Sequence, residues 1–229
     1  IRAGEDGGLV VGAMTRHRSV ERSPIVAERA PLIAEAMPFI AHPQIRNRGT
    51  FGGSLAHADP AAELPALAVV LDAQVRVQSA SGDRWIGVGD FFLGLFTTAL
   101  EEHEMLVEVA VPPLPAMTGT AFEEFARRHG DYALVGAAAM VTLGDDGTVA
   151  ESKLVFLSVG DMPVMSASAS AALLGQRPTE HAIREAAAAI EADIDPQADI
   201  HATAEYRRHL AKVLARRTLA RAAQRASGA

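Results

Sequence analysis

Three glycines and a proline inside one short stretch constrain this chain more than any other feature. Residues 44–63 read Gln-Ile-Arg-Asn-Arg-Gly-Thr-Phe-Gly-Gly-Ser-Leu-Ala-His-Ala-Asp-Pro-Ala-Ala-Glu. Gly49, Gly52 and Gly53 permit positive φ and let backbone approach a ligand closely. Successive free N–H groups in such a turn form an anion-binding nest. Arg46 and Arg48 add charge, and Thr50 and Ser54 add hydroxyls. Pro60 suits the first turn of a helix, so the sequence predicts Asp59 as its N-cap and Glu63 one helical turn on. A phosphorylated or polyhydroxylated ligand fits this set; so does a plain turn with a capping Asp. The stretch is neither a Walker A loop, since no Gly-Lys-Ser/Thr follows the glycines, nor the Gly-x-Gly-x-x-Gly dinucleotide fingerprint.

Around that stretch the chain changes texture. Residues 9–15 read as a short strand, Ser19 as the cap of a short helix through Glu21, and 31–39 as a helix with Leu32, Ile33, Ala36, Met37 and Ile40 on one face. Phe39 and Ile40 fall either in the core or beside whatever the glycines hold. The apolar run 64–71 continues the helix opened at Pro60. Residues 73–78 and 85–88 read as strands about the hairpin turn 79–83. Asp90 is expected to cap a short helix, and strand 105–111 is stopped by Pro112-Pro113. Turn composition at 114–119 places the boundary between a first region, 1–117, and a second, 118–229. In the second, 120–128, 133–143 and 148–159 read as three strands, the last two joined by Gly144-Asp145-Asp146-Gly147. Helices follow at 166–174 with Gly175 as C-cap, at 179–192 with Thr179 as N-cap, and from Thr203 with Tyr206, Leu210, Val213 and Leu214 on one face. Strands first and helices after give an α+β fold class.

Composition removes several functions. A net charge of −7 gives no basic footprint for nucleic acid. There is no cysteine, so the chain has no disulfide, no thiolate for an iron–sulfur cluster and no thiol nucleophile; this fits a reducing cytoplasm. No apolar run reaches membrane-span length. Ser54 and His57 lack a nucleophile elbow. His57-x-Asp59 and Asp199-x-His201 lack a third metal ligand, and Asp199 and His201 precede a helix start where capping is their ordinary use. The cations Arg207, Arg208, Lys212, Arg216, Arg217, Arg221 and Arg225 on the last helix read as a solvated face, or as a docking surface for an acidic partner. No general acid/base pair stands out.

The run 44–63 resembles the FAD-binding signature of the flavoprotein (medium) subunits of molybdenum hydroxylases, the family of aerobic carbon monoxide dehydrogenase and of the xanthine dehydrogenase FAD domain. Residues 91–98, 104–107, 130–133 and 205–210 resemble further stretches of the same family, so the likeness covers nearly the whole chain. It implies a second FAD-binding subdomain, mixed α/β with an antiparallel sheet, followed by a three-stranded antiparallel sheet with a helical bundle. It also implies cofactor-binding roles for Arg48, Gly49, Thr50, Phe51, Gly52, Gly53, Ser54, His57, Asp59, Glu63, Leu106 and Tyr132, with no catalytic and no metal-binding residue. Backbone N–H groups of 50–54 would meet the pyrophosphate. Glu63 would meet cofactor hydroxyls, Leu106 would lie near the adenine, and Tyr132 would lie against the isoalloxazine or in the core of the second sheet.

The resemblance further implies an electron-transfer subunit in a cytoplasmic heteromer. A large subunit would carry the molybdenum cofactor and a small one the iron–sulfur (2Fe–2S) clusters, with NAD, quinone or oxygen as external acceptor. An assembly module that keeps the fold without FAD, and a flavoenzyme with its own substrate pocket, are the competing classes. Two departures stand out: relatives often carry Lys near position 124, where Glu123-Glu124 stand here, and the Ala-Gly-Gly-type loop of the family's first FAD subdomain does not occur in 1–46. That second departure leads to the expectation that this chain alone holds FAD weakly or not at all.

Overall fold

The computed structural model describes residues 1–228; the last residue of the expected second region, Ala229, lies outside them. Short strands and helices fill the first half. Strands β1 (Arg2–Ala3) and β2 (Leu9–Gly12) lead to α1 (His17–Glu21), α2 (Pro24–Arg29) and α3 (Pro31–Ala36), and then to a 3-10 turn at Met37–Phe39. Helices α4 (Pro43–Arg46), α5 (Phe51–His57) and α6 (Glu63–Val70) follow. Then come β3 (Gln74–Ser79), β4 (Gly82–Gly87), α7 (Val88–Phe91), β5 (Phe92–Gly94), β6 (Thr97–Thr98) and β7 (Met105–Val111). An antiparallel five-stranded sheet runs β1-β2-β7-β3-β4, and β5-β6 form a separate hairpin. Val75 and Val77 of β3 alternate inward while Gln74 and Gln78 face water, the period of a half-buried strand.

The second half supplies β8 (Thr118–Ala126), β9 (Ala133–Leu143), β10 (Val149–Leu157) and β11 (Val164–Met165), then α8 (Ala167–Leu173), α9 (Glu180–Ala189) with a 3-10 turn at Ile190–Ala192, and α10 (Ala204–Ala226). The sheet order is β11-β10-β9-β8, so it has four strands where the sequence predicts three. The extra edge strand is only two residues long, too short to leave a periodic signal. Every residue of β9 is buried. Ala138 and Met140 belong to the core shared with the first half, whereas Ala137, Ala139 and Val141 belong to the core under α8–α10. The sheet is therefore covered on both faces, and so is α6, whose eight residues are all buried. A helix enclosed all round needs no polar stripe.

Three local expectations fail. Ser19 and Asp90 sit inside short helices that Arg16 and Gly87 precede without a side-chain cap. Asp59 caps nothing helical: α5 ends at Ala58 in the left-handed region, residues 60–61 form a turn, and α6 starts at Glu63. Thr50, Ser23, Ser166, Thr179 and Thr203 do cap helices. Five of the six arginines of α10 pair with carboxylates of the same chain. Arg207 is buried, donating to the Leu134 carbonyl and to Asp199, and Arg225 donates to Glu35 at 2.5 Å, tying α10 back to α3. Arg217 and Arg221 pair with Glu123 at 2.5 and 3.2 Å. Among the described residues no helix is long and apolar enough to cross a membrane.

Candidate functional site

Residues 13–17 and 49–52 form a small antiparallel ladder. His17 N donates to Gly49 O at 3.0 Å, Phe51 N to Thr15 O at 2.9 Å, and Gly52 N to Ala13 O at 2.9 Å. Thr50 then turns the chain into α5, its Oγ1 accepting from Gly53 N at 3.1 Å, and Ser54 N donates to Thr50 O at 3.1 Å. The amides of 51–54 are thus bonded within the protein, and the expected nest for a pyrophosphate is not formed by them. Gly49, Gly52 and Gly53 do not have positive φ either. Their need for a missing side chain is steric: a Cβ on Gly49 would meet the His17 ring at 3.0 Å, and one on Gly52 would meet Ala13 at 2.5 Å.

Beside this ladder lies a cleft of about 770 Å³, the size of a small-molecule or cofactor site. Nine of the twelve residues expected at the cofactor line it: Arg48, Gly49, Thr50, Gly53, Ser54, His57, Asp59, Glu63 and Tyr132. Phe51, Gly52 and Leu106 do not. Phe51 is 2% exposed and points into the core, Gly52 is packed on Ala13, and Leu106 sits in β7 against the first core. Tyr132 precedes β9 and is 72% exposed, so it is not a core residue of the second sheet. The cleft also gathers residues to which the sequence assigns no cofactor role, among them Met14, Arg16, His17, His42, Ile45 and Asp131; Ile40, expected in the core or beside the ligand, is a wall residue.

The two ends of the cleft differ in charge. At the ladder end, Arg16 donates to the Arg48 carbonyl, and His17 Nε2 lies 2.8 Å from Thr50 O. Facing a carbonyl, Nε2 must carry the proton. Burial, with Arg46 nearby, pulls the His17 pKa down, so the ring is neutral and its buried Nδ1 is left without a partner. At the other end, Asp59 Oδ1 accepts from Ala61 N at 2.9 Å, and Glu63 is 8% exposed. Burial and then the Asp59 charge push Glu63 up to about 7. Desolvation, then Asp59 and Glu63, raise the Tyr132 hydroxyl. Behind the wall stands Glu124, pushed up to about 8 by burial and by Glu63.

Arg46, exposed in neither chain nor cleft, is structural. It donates to Glu21 at 3.1 Å and to the Ile40 and Ala41 carbonyls, both at 2.9 Å. Those bonds hold Ala41 at φ +45 on the cleft edge. Asp199 accepts from His201 N and Ala202 N at 2.8 and 2.9 Å, a local hydrogen-bonding role in the turn before α10, whose cap is Thr203. No group of three His, Cys, Asp or Glu able to hold a metal occurs among the described residues.

A cationic end suits a diphosphate, carboxyls and a phenol suit hydroxyl groups, and apolar Met14, Ile40 and Ile45 suit a ring system; the residues present fit FAD. Comparison with known proteins agrees. The model described as FAD binding domain in molybdopterin dehydrogenase matches residues 1–114, and the CO dehydrogenase flavoprotein C-terminal domain matches 120–222. Subunit alpha of the 6-hydroxypseudooxynicotine dehydrogenase complex of Paenarthrobacter nicotinovorans is 42% identical, with 96% of this chain and 75% of that one aligned. The carbon monoxide dehydrogenase medium chain of Hydrogenophaga pseudoflava is 36% identical over 94% of this chain and 75% of its own. Among solved structures, carbon monoxide dehydrogenase from Hydrogenophaga pseudoflava superposes with a TM-score of 0.91 at 39% identity, covering 94% of this chain and 75% of that one. Quinoline 2-oxidoreductase from Pseudomonas putida 86 gives 0.89 at 38%, covering 95% and 75%. The chain belongs to the family of FAD-binding medium subunits of molybdenum hydroxylase-type dehydrogenases, and is an oxidoreductase subunit.

Proposed function

We propose that this chain is the electron-relay subunit of a cytoplasmic heteromer, taking electrons from iron–sulfur clusters on a small subunit and passing them to NAD, quinone or oxygen. The substrate would be oxidised at a molybdenum cofactor on a large subunit. When bound, FAD supplies the chemistry that accepts electrons singly and releases them in pairs. The chain's own residues bind and orient it. Arg16 and Arg48 would hold the diphosphate, and Asp59, Glu63 and Tyr132 would hold its hydroxyls and ring. The Glu63 carboxyl, pushed up to about 7, and the Tyr132 phenol would hold protons beside that ring, and Met14, Ile40 and Ile45 would offer it an apolar wall.

The observation that supports this reading most is the convergence of nine expected cofactor residues on one cleft, in a chain with no thiolate of its own to ligate a cluster. The first region, 1–117, would carry the cleft's ladder and α5, and the second, 118–229, would close it through Gly130, Asp131 and Tyr132. The test is purification of the complex through a tag on this chain. Co-purifying large and small subunits, a flavin absorption band, and bleaching of that band on anaerobic addition of substrate are the expected results. A colourless preparation that still carries both partners overturns the relay role and leaves an assembly module.

A further inference from the structure

His57 ends α5 and lines the cleft with its imidazole exposed. Phe96 lies against it, ring centroids 5.0 Å apart and planes tilted by 37°. Phe96 sits in the two-residue turn between β5 and β6 with φ +51, the left-handed region, which a bulky side chain adopts only under constraint from its surroundings. Core burial does not supply that constraint. Phe91 and Phe92, just upstream, are 0% and 4% exposed, while Phe96 remains 54% exposed. The hairpin itself is fixed: Ala99 N donates to Phe91 O at 2.9 Å, and Thr97 Oγ1 donates to Leu95 O at 2.9 Å. A rigid hairpin thus aims a half-exposed aromatic ring, from a strained backbone, at one side chain of the cleft. An exposed histidine otherwise samples several rotamers, and ordering such a side chain on binding opposes affinity.

We propose that Phe96 is a positioning residue for His57, stacking on the imidazole so that a ring nitrogen is held toward FAD in the cleft before it binds. This rests on the FAD reading of the cleft. Phe96 itself is not among the residues that line the cleft. Aromatic stacking tolerates Tyr at position 96 but not Ala.

The test compares wild type with F96A, F96Y, H57A and F96A/H57A in the assembled complex, with FAD release followed by flavin fluorescence. F96A is expected to raise the FAD Kd by roughly 2–10-fold, the range for one unfrozen side chain. H57A should match or exceed that, the double variant should be no worse than H57A, and F96Y should behave as wild type. Wild-type affinity in F96A, or effects of F96A and H57A that multiply, overturns the assignment. A second readout uses cofactor-free protein: the carbon-bound ring protons of His57 should show a ring-current shift that F96A abolishes and F96Y keeps. An unshifted His57 in wild type overturns the stacking regardless of flavin. A shifted His57 in a complex that holds no flavin overturns instead the reading of the cleft, and this assignment with it.

Discussion

Gly52 and Ala13 touch backbone to backbone: a Cβ on Gly52 would fall 2.5 Å from the Ala13 Cβ, 2.7 Å from its Cα and 3.0 Å from its carbonyl oxygen. The contact is sealed by the bond from Gly52 N to Ala13 O at 2.9 Å. It sets how close α5 comes to the first sheet, and so where Gly53, Ser54 and His57 stand in the cleft.

Substituting Gly52→Ala should therefore be more damaging than Gly53→Ala. At position 52 the clash is with backbone that cannot rotate away, and overpacking of this kind typically costs about 1–3 kcal/mol. At position 53 the added Cβ meets only Thr50 Oγ1, at 2.5 Å, and a hydroxyl can turn. The loss there is the N-cap bond, typically about 1 kcal/mol. Chemical denaturation of the two variants checks the order; equal losses would mean that Ala13 and its strand move freely.

That Arg48, Thr50, Ser54, His57, Asp59 and Glu63 share one cleft was legible from the family resemblance of the single stretch of sixteen residues that holds them. Their local roles were not. A Gly pair reads the same whether its amides face a ligand or its missing Cβ atoms face a neighbouring strand, and only the placement of Ala13 decides between them. Arg16, His17 and Met14 carried no signal, because what brings them to the cleft is the pairing of 13–17 with 49–52, a non-local contact. Two strands of the second sheet, β9 and β10, were legible from the turn chemistry of residues 144–147 between them. Burial of β9 on both faces was not, since a continuous apolar run also describes a helix in a core.

Arg46 should prove to be a stability residue and not a cofactor contact. Its guanidinium spans Glu21, Ile40 O and Ala41 O at 6% exposure of the residue. Arg46→Leu leaves the Glu21 carboxylate with Arg18 alone and the Ile40 and Ala41 carbonyls unbonded, a loss on the order of 3 kcal/mol. Arg46→Lys should not restore it, because an ammonium group cannot span a carboxylate and two carbonyls. Urea midpoints of the two variants measure this. A variant of normal stability that loses only FAD affinity would show that the guanidinium serves the ligand.

Replacing Glu35 should be mild by comparison. Its pairs with Arg221 and Arg225 join α3 to α10 but are partly exposed, with arginine side chains 38% and 45% accessible. Exposed pairs of this kind contribute roughly 0–1 kcal/mol and weaken with salt. Glu35→Gln is thus expected to shift the thermal midpoint by a few degrees at low salt, and by less at high salt. A loss that is large and independent of salt would show that Glu35 acts through packing.

The pH dependence of stability should follow Glu63 and Glu124. Both carboxyls are raised in the folded chain, to about 7 and about 8, first by burial and then by neighbouring carboxylate charge. Between the ordinary carboxylate range near pH 4.5 and these values the folded state binds more protons than the unfolded one, so stability falls as pH rises through the window. Groups held low, such as Glu104 and Asp199 at about 2, act in the opposite sense and matter only in acid. Glu124 Oε2 is buried without a partner, so ionising it gains no hydrogen bond in return. Glu124→Gln removes one of the two charges and lets Glu63 ionise more easily. The variant should gain stability over wild type at pH 8, the difference shrinking toward zero near pH 5, with each unit of pKa shift equivalent to about 1.4 kcal/mol before relaxation. Denaturant titrations of both proteins across that range decide the matter. A gain that is the same at both ends would mean that Glu124 is destabilising for its shape and not its charge, and a loss at pH 8 would mean that the carboxylate is satisfied by a group the folded chain recruits.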